Sequence, residues 1–315
     1  MKKRRRLKKQ VYYVLAAIII FIMIIVGVVK RINYMNSYPY KLGKVGYDEK
    51  QIEIILTLKD NQIKDLLKRK YNKNIVSFVK QKYFIYKNLD RYLKYQKENK
   101  DKKLSEIIAM VNVNADYEWY DEDVIKETDL NQGYMMLVNK FYHLNEKYEP
   151  EDIVDIPITY AYDDNKISNE VLKAFKNMWA KAKKEGLSLI ITSSYRTYDD
   201  QEKIWNSYAF KESEEWADSY AARAGYSEHQ TGLALDIVTY NSKMDDFKDT
   251  DEAKWLAKNA YKYGFILRYP EGKESITGYD YEPWHYRYVG IDNAKKIHDE
   301  DITFEEYYAY YIENK

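Results

Sequence analysis

Residues 227–236 read Ser-Glu-His-Gln-Thr-Gly-Leu-Ala-Leu-Asp, and this stretch decides how the chain is interpreted. His229 lies at the exit of a predicted loop, and Asp236 follows seven residues later on a predicted strand. Gly232 and Ala234 keep the space between the two residues small. A close pair of ligands joined by one distant ligand is a common zinc arrangement, so His229 and Asp236 are candidate metal ligands, although the pair alone is a weak signal. The spacing alone is also compatible with a surface histidine and an edge-strand aspartate.

The segment Glu282-Pro-Trp-His285 supplies a candidate third ligand. It begins 46 residues beyond Asp236 and comes directly before a predicted strand, so His285 can complete the site. Glu282 would then lie close to the metal without binding it, where a carboxylate can accept a proton from water. A simple turn is the alternative, because proline punctuates loops and tryptophan can pack beneath one.

A third polar segment, Ser193-Ser-Tyr-Arg196-Thr-Tyr-Asp-Asp-Gln201, follows a predicted buried strand and leads into a helix capped by Thr197. An arginine at such a position can bind a carboxylate through two parallel hydrogen bonds. A surface arginine is the alternative interpretation of Arg196.

The three segments together, read as SSYRxxxxQ, SxHxxGxAxD and ExWH in this order, resemble the VanY-like D-alanyl-D-alanine carboxypeptidase family of zinc peptidases. The resemblance covers residues 155–312, and every ligand and catalytic-base position matches the family pattern. It implies a small α+β domain that cuts peptidoglycan stem peptides at the C-terminal D-alanine. It also implies one Zn²⁺ per chain and a role for each matching residue: metal ligation by His229, Asp236 and His285, general-base catalysis by Glu282, and substrate binding by Arg196, Gln201 and Ser227.

The composition agrees with a site of this kind. The chain has no cysteine, which excludes disulfides, thiolate ligands and a cysteine nucleophile. A zinc site must therefore use histidines and carboxylates, and the chain has only four histidines. We interpret the other two, His143 and His298, as surface or packing residues.

The N-terminus predicts a membrane anchor. Residues 1–31 hold nine basic residues and no acidic one, which leaves the rest of the chain net acidic and a poor partner for nucleic acid. The stretch Val11–Val29 is uncharged and long enough to cross a bilayer as a helix. The basic segment Met1–Lys9 favours a cytoplasmic N-terminus and an extracytoplasmic remainder. A cleaved signal peptide is the alternative, but no small-x-small cleavage site follows the stretch.

Four segments are predicted along the chain. Residues 1–31 form the basic segment and transmembrane signal anchor, and residues 32–45 form a linker. Residues 46–150 read as a helical extracytoplasmic region whose last predicted helix is Gly133–Leu144. Residues 151–315 form the zinc carboxypeptidase domain, in which helices and short strands predict an α+β fold with a small, mostly antiparallel sheet and flanking helices.

The predicted function is a zinc carboxypeptidase of the cell membrane, single-pass, with peptidoglycan stem peptides and the membrane as partners. The same metal site serves removal of the fifth residue of a pentapeptide (D,D specificity) or the fourth of a tetrapeptide (L,D specificity), and sequence does not choose between them. An open-ended pocket would make the protein a peptidoglycan endopeptidase. A non-catalytic cell-wall-binding protein on the same fold is the alternative from another class.

Overall fold

A computed structural model describes residues 9–240, 244 and 246–313. It divides the chain into two compact units, Met1–Lys97 and Glu98–Lys315. Most of the basic segment Met1–Lys9, and the last two residues of the predicted zinc domain, lie outside the described residues.

The first helix is long and apolar. Helix α1 (Lys9–Asn36) has 28 residues and no buried side chain. By length and composition it can cross a membrane, and a signal sequence near the N-terminus meets the same criteria.

Five shorter helices follow and pack around one apolar cluster that includes Leu42, Ile55, Leu66 and Leu89. Two of them begin with the same capping interaction: Gln51 Oε1 accepts the Asp48 backbone N–H, and Gln62 Oε1 accepts the Lys59 backbone N–H. The five helices are α2 (Tyr38–Val45), α3 (Glu49–Ile55), α4 (Asp60–Leu66), α5 (Lys73–Val79) and α6 (Leu89–Glu98).

The second unit mixes helices with short strands. Its helices are α7 (Leu104–Asn112), α8 (Asn169–Lys184), α9 (Tyr198–Lys211), α10 (Glu214–Tyr220), α11 (Asp251–Asn259), α12 (Glu274–Thr277), α13 (Ile291–Glu300) and α14 (Phe304–Tyr308). Its strands are β1 (Lys126–Glu127), β2 (Tyr142–His143), β3 (Ile153–Asp155), β4 (Lys166–Ser168), β5 (Ile190–Ser193), β6 (Ala234–Val238), β7 (Phe265–Leu267) and β8 (His285–Tyr288).

The main sheet has four antiparallel strands in the order β5-β6-β8-β7. Helix α8 buries Val171, Leu172, Phe175 and Met178, a helical spacing that forms one apolar face. These side chains belong to the same core as Ile191, Leu235 and Ile237 of the sheet. The α+β architecture and the small antiparallel sheet expected from the sequence are confirmed.

The predicted helix Gly133–Leu144 is wrong. Gly133 has a positive φ of 54° and interrupts a short 3₁₀ turn, Leu130–Met135. The side chain of Asn139 then accepts the backbone N–H groups of Phe141 (2.9 Å) and Tyr142 (3.2 Å), which replaces helical bonding with a turn. Strand β2 follows and pairs with β1.

The boundary between the two compact units differs from the predicted boundary between residues 150 and 151. Residues 98–150 belong to the second unit, because their side chains share its cores, as Leu137 and Phe141 do with Phe304. The functional division into anchor, linker, helical region and zinc domain stays a prediction.

Candidate active site

Two of the predicted metal ligands face each other across neighbouring strands. Asp236 lies on β6 and His285 on β8, and the antiparallel pairing places these residues in register. Directly opposed residues of an antiparallel pair point to the same face of the sheet. The side chains meet, with Asp236 Oδ1 3.1 Å from His285 Nδ1.

The third predicted ligand enters from a tight turn that leads into β6. His229 lies in a 3₁₀ turn, Glu228–Thr231, which ends at Gly232 with a left-handed φ of 69°. His229 Nδ1 lies 2.6 Å from the carbonyl oxygen of Ser194, to which it can donate a hydrogen bond. Such a bond leaves Nε2 unprotonated and available to a metal, and this atom lies 3.5 Å from Asp236 Oδ2.

These three residues fit a Zn²⁺ ion. Their ligand atoms lie within 4.8 Å of one another, and all three side chains are buried. Among the described residues, Asp236 Oδ1 has no hydrogen-bond partner, even though it is buried close to His285 Nδ1. Both atoms therefore remain available for a shared ion. Two imidazoles and a carboxylate are a ligand set of catalytic zinc, with the fourth position open.

Burial and neighbouring charges shift the pKa values of all three residues. Burial and the nearby Arg196 guanidinium lower the pKa of His229 to about 4, so the ring is neutral at neutral pH. Burial lowers the pKa of His285, but the nearby carboxylates of Asp236 and Glu228 outweigh burial and raise this pKa to about 9. The two histidines hold the pKa of Asp236 far below its usual range against the opposing effect of burial.

Glu282 lies beside the ligands. Its Oε2 is 3.5 Å from His285 Nδ1, and its side chain is largely buried. Burial raises the pKa of Glu282 to about 7. A carboxylate whose pKa lies near neutrality is well matched to take and return a proton.

Arg196 brings a positive charge into the same cavity. One guanidinium nitrogen donates to Gln201 Oε1 at 2.7 Å, and Gln201 Nε2 donates to the Ala222 carbonyl at 2.8 Å. Arg196 Nε is buried without a hydrogen-bond partner in the part of the chain that the structure describes, and no ion pair to Arg196 is found there. Gln201 therefore orients the guanidinium, which keeps hydrogen-bonding capacity for an anion.

One cavity of about 310 Å³ brings all seven predicted site residues together. Ser227 lines it next to the three ligands, Glu282, Arg196 and Gln201. Aromatic side chains form much of the remaining wall: Tyr208, Tyr220, Tyr269, Tyr279 and Trp284. A cavity of this size accommodates a few residues of a peptide.

Glu228 also contacts the site and was not among the residues predicted from the sequence. Its side chain is fully buried, and its Oε2 lies 3.5 Å from His285 Nε2, the ring nitrogen that faces away from Asp236. Its Oε1 accepts from Arg268 Nε and Arg287 at 2.8 Å each. An acidic residue next to a candidate ligand, with one arginine just after β7 and another on β8, was the available signal.

Comparisons with known proteins identify a family and several relatives that this chain resembles. The family described as VanY, D-alanyl-D-alanine carboxypeptidase, matches residues 164–291. YodJ of Bacillus subtilis (strain 168) is 44% identical over 184 residues, which cover 56% of this chain and 67% of YodJ. The bifunctional D-Ala-D-Ala dipeptidase and D-Ala-D-Ala carboxypeptidase VanXYC of Enterococcus gallinarum is 35% identical over 184 residues, which cover 56% of this chain and 94% of VanXYC.

Among solved structures, the LD-carboxypeptidase LdcB superposes with a TM-score of 0.56 and 41% identity. The match covers 61% of this chain and 94% of LdcB. The relatives thus include enzymes named for D-Ala-D-Ala and for LD-carboxypeptidase activity.

Proposed function

The chain belongs to the VanY family of D-alanyl-D-alanine carboxypeptidases, and on this basis we propose that it removes the C-terminal D-alanine of peptidoglycan stem peptides with one bound Zn²⁺. The protein is a carboxypeptidase, and therefore a peptide hydrolase. The proposal adds the substrate, the metal and the residues that act on them.

The half-buried guanidinium of Arg196, whose Nε is buried without a partner among the described residues, carries the proposal. A cation with an unused buried N–H, in the same cavity as His229, Asp236 and His285, suits a substrate whose free carboxylate lies one residue beyond the cleaved bond. This arrangement favours a carboxypeptidase over an endopeptidase, because an internal peptide bond presents no such carboxylate. The complete ligand set and Glu282 favour an enzyme over a non-catalytic wall-binding protein.

The chemistry follows from the positions of the side chains. Zinc, when bound, supplies a Lewis acid that lowers the pKa of a water molecule. Glu282 accepts the proton of the attacking water and then transfers it to the amine of the departing D-alanine as the C–N bond breaks. Arg196 binds the terminal carboxylate, and Gln201 holds the guanidinium in place. Ser227, on the cavity wall, contributes a hydroxyl to substrate binding.

Mass spectrometry of peptides incubated with the purified full-length chain in detergent tests the proposal. We expect one alanine to be lost from the pentapeptide, from the tetrapeptide, or from both, and this loss to stop with a chelator. Loss from the pentapeptide defines D,D specificity, and loss from the tetrapeptide defines L,D specificity. The tetrapeptide should be tested first, because the chain is similar to the LD-carboxypeptidase LdcB. Cleavage confined to internal bonds would replace the carboxypeptidase proposal with the endopeptidase.

The general base has its own matched pair of variants. Glu282→Gln removes the proton acceptor with little change in shape and should lower kcat by about 10²–10⁴-fold while zinc remains bound. Glu271→Gln changes an exposed glutamate that does not line the cavity, and its activity should equal that of the unmodified chain. Full activity of Glu282→Gln would contradict the assignment.

We also propose that α1 anchors the enzyme in the cell membrane with the second unit outside, where stem peptides are found. The support is the length and apolar composition of Lys9–Asn36 together with the basic residues before it. Protease added to intact cells should digest a tag at the C-terminus and spare one at the N-terminus. Release into the medium of a chain shortened at its N-terminus would instead indicate a cleaved signal peptide.

A further inference from the structure

A network of buried charges lies behind the proposed metal site. Glu228 and Glu305 alternate with Arg268 and Arg287, and their side chains are 0–2% exposed. Glu228 Oε1 accepts from Arg268 Nε and from Arg287, while Arg268 donates to both carboxylate oxygens of Glu305, one of them at 2.9 Å. Two negative and two positive charges balance each other.

Such a network is a poor way to gain stability. Burying charged groups carries a desolvation penalty that an apolar core of the same volume does not carry. Buried ion pairs can therefore often be replaced by apolar residues without loss of stability. The position of the network suggests another use. Its one carboxylate oxygen without a hydrogen-bond partner among the described residues, Glu228 Oε2, lies 3.5 Å from His285 Nε2, which also has none.

This contact determines which nitrogen of His285 can bind a metal. Nδ1 faces Asp236 and must be unprotonated to act as a ligand, so the ring proton must be on Nε2. Glu228 Oε2 is the carboxylate oxygen placed to accept that proton, and a hydrogen bond there would fix both the tautomer and the orientation of the ring.

We infer that Glu228 is a positioning residue for His285 and that Glu305, through Arg268, holds Glu228 in place. The inference rests on the zinc site of the proposed function. It links the metal site to α14, near the C-terminus of the second unit, through the contacts Glu305–Arg268–Glu228–His285. The part played by Glu305 is indirect, since it contacts Arg268 rather than a ligand.

Replacement of Glu228 by glutamine is a sharp test because the orientation of the new amide is dictated by its neighbours. The amide oxygen must face Arg268 and Arg287, which only donate, so the amide nitrogen must face His285 Nε2. Nε2 then becomes the acceptor, and the ring proton moves to Nδ1, where it blocks metal binding. The variant keeps the size of the side chain and reverses its role.

The experiment measures the zinc dissociation constant of the full-length chain in detergent by competition with a chromophoric chelator. We expect Glu228→Gln to weaken zinc binding by about 10–100-fold, as loss of a carboxylate partner of a metal-binding histidine does elsewhere. Glu305→Gln should weaken it several-fold. The double variant should bind zinc more weakly than the unmodified chain. The factor should be smaller than the product of the two single-variant factors, because both substitutions act through one series of contacts.

Glu306→Gln is the matched control. Glu306 is the neighbour of Glu305 on α14, is also buried, and accepts the Thr303 N–H in a capping box outside the network. Its zinc affinity should equal that of the unmodified chain. Melting of each variant in excess chelator separates loss of folding from loss of metal affinity, and Glu305→Gln decides the question if Glu228→Gln does not fold.

Unchanged zinc affinity in folded Glu228→Gln would overturn the inference, and so would an equal loss in Glu306→Gln. An unmodified chain that binds no zinc would overturn the metal site itself, together with the inference. Zinc binding without peptide hydrolysis would defeat the proposed substrate alone and leave the positioning of His285 standing, since the readout is affinity and not turnover.

Discussion

Arg196 is the side chain through which we propose that the enzyme selects substrates with a free C-terminal carboxylate. Replacing it with methionine keeps much of its length but removes the charge-assisted hydrogen bonds to a terminal carboxylate, each worth about 1.5–3 kcal/mol. We predict that kcat/KM for a stem peptide with a free C-terminus falls by at least about 10-fold, which corresponds to the loss of one such bond. This loss is measured by steady-state kinetics in which the released D-alanine is quantified.

A peptide with an amidated C-terminus provides the internal comparison for Arg196→Met. The unmodified enzyme should prefer the free carboxylate strongly, and the variant should lose most of that preference. Lys173→Met changes an exposed cation on α8 and should leave the preference intact. An unchanged preference in Arg196→Met would assign carboxylate binding to another residue.

At the scale of elements, the turn before β6 depends on the absence of a side chain at Gly232. Its φ of 69° is unfavourable for other residues, and an added Cβ would lie 2.6 Å from Ile153 Cδ1 and 3.2 Å from Pro150 Cγ. Gly232→Ala therefore combines backbone strain with a steric clash. We predict a loss of more than about 2 kcal/mol in the free energy of unfolding, measured by urea denaturation.

Gly272 is the control for Gly232, because its φ of 79° is also left-handed but no heavy atom lies within 4 Å of an added Cβ. Gly272→Ala should cost only the backbone strain, about 1 kcal/mol. Equal losses in the two variants would mean that the clash with Ile153 and Pro150 is relieved without cost.

Across the second unit, a buried lysine makes stability depend on pH. Lys140 is 2% exposed, and its ammonium donates to the Asp218 carbonyl at 2.6 Å and lies 4.5 Å from the centre of the Tyr279 ring. Burial lowers its pKa from 10.5 to about 8; Asp218 and Asp280 oppose this shift, and Arg223 adds to it.

The sign of the effect follows from proton binding. Between about pH 8 and 10.5 the unfolded chain holds the Lys140 proton more tightly than the folded chain, so stability from this group rises with pH in that window. We predict that Lys140→Met removes this rise. The free energy of unfolding of both proteins is measured by denaturation at about pH 7 and about pH 9.5. The stability of the variant relative to that of the unmodified chain should be lower at the higher pH.

Tyrosines and other titrating groups are present in both proteins and cancel in this difference. Lys173→Met should show no such pH dependence, because the Lys173 side chain is largely exposed. A constant stability difference between Lys140→Met and the unmodified chain at both pH values would mean that Lys140 stays protonated throughout the window.

Much of the second unit was predictable because its signals are local. Strands were predicted before Ser193, at Asp236 and at His285, where the structure has β5, β6 and β8, and a capping threonine predicted the start of α9, where Thr197 Oγ1 does accept the Asp200 N–H. The helix Gly133–Leu144 was predicted in error although its sequence contains local turn signals: Gly133 adopts a positive φ, and the Asn139 side chain accepts the backbone N–H groups two and three residues later.

The sequence by itself determined which residue types are available for the site: four histidines, no cysteine, and the motifs that contain His229, Asp236, Glu282 and His285. The tertiary structure alone decided that Asp236 and His285 face each other, because strand register depends on pairing between segments far apart in the chain. It alone revealed the role available to Glu228, since a buried carboxylate requires cations, and Arg268 and Arg287 reach it only after folding.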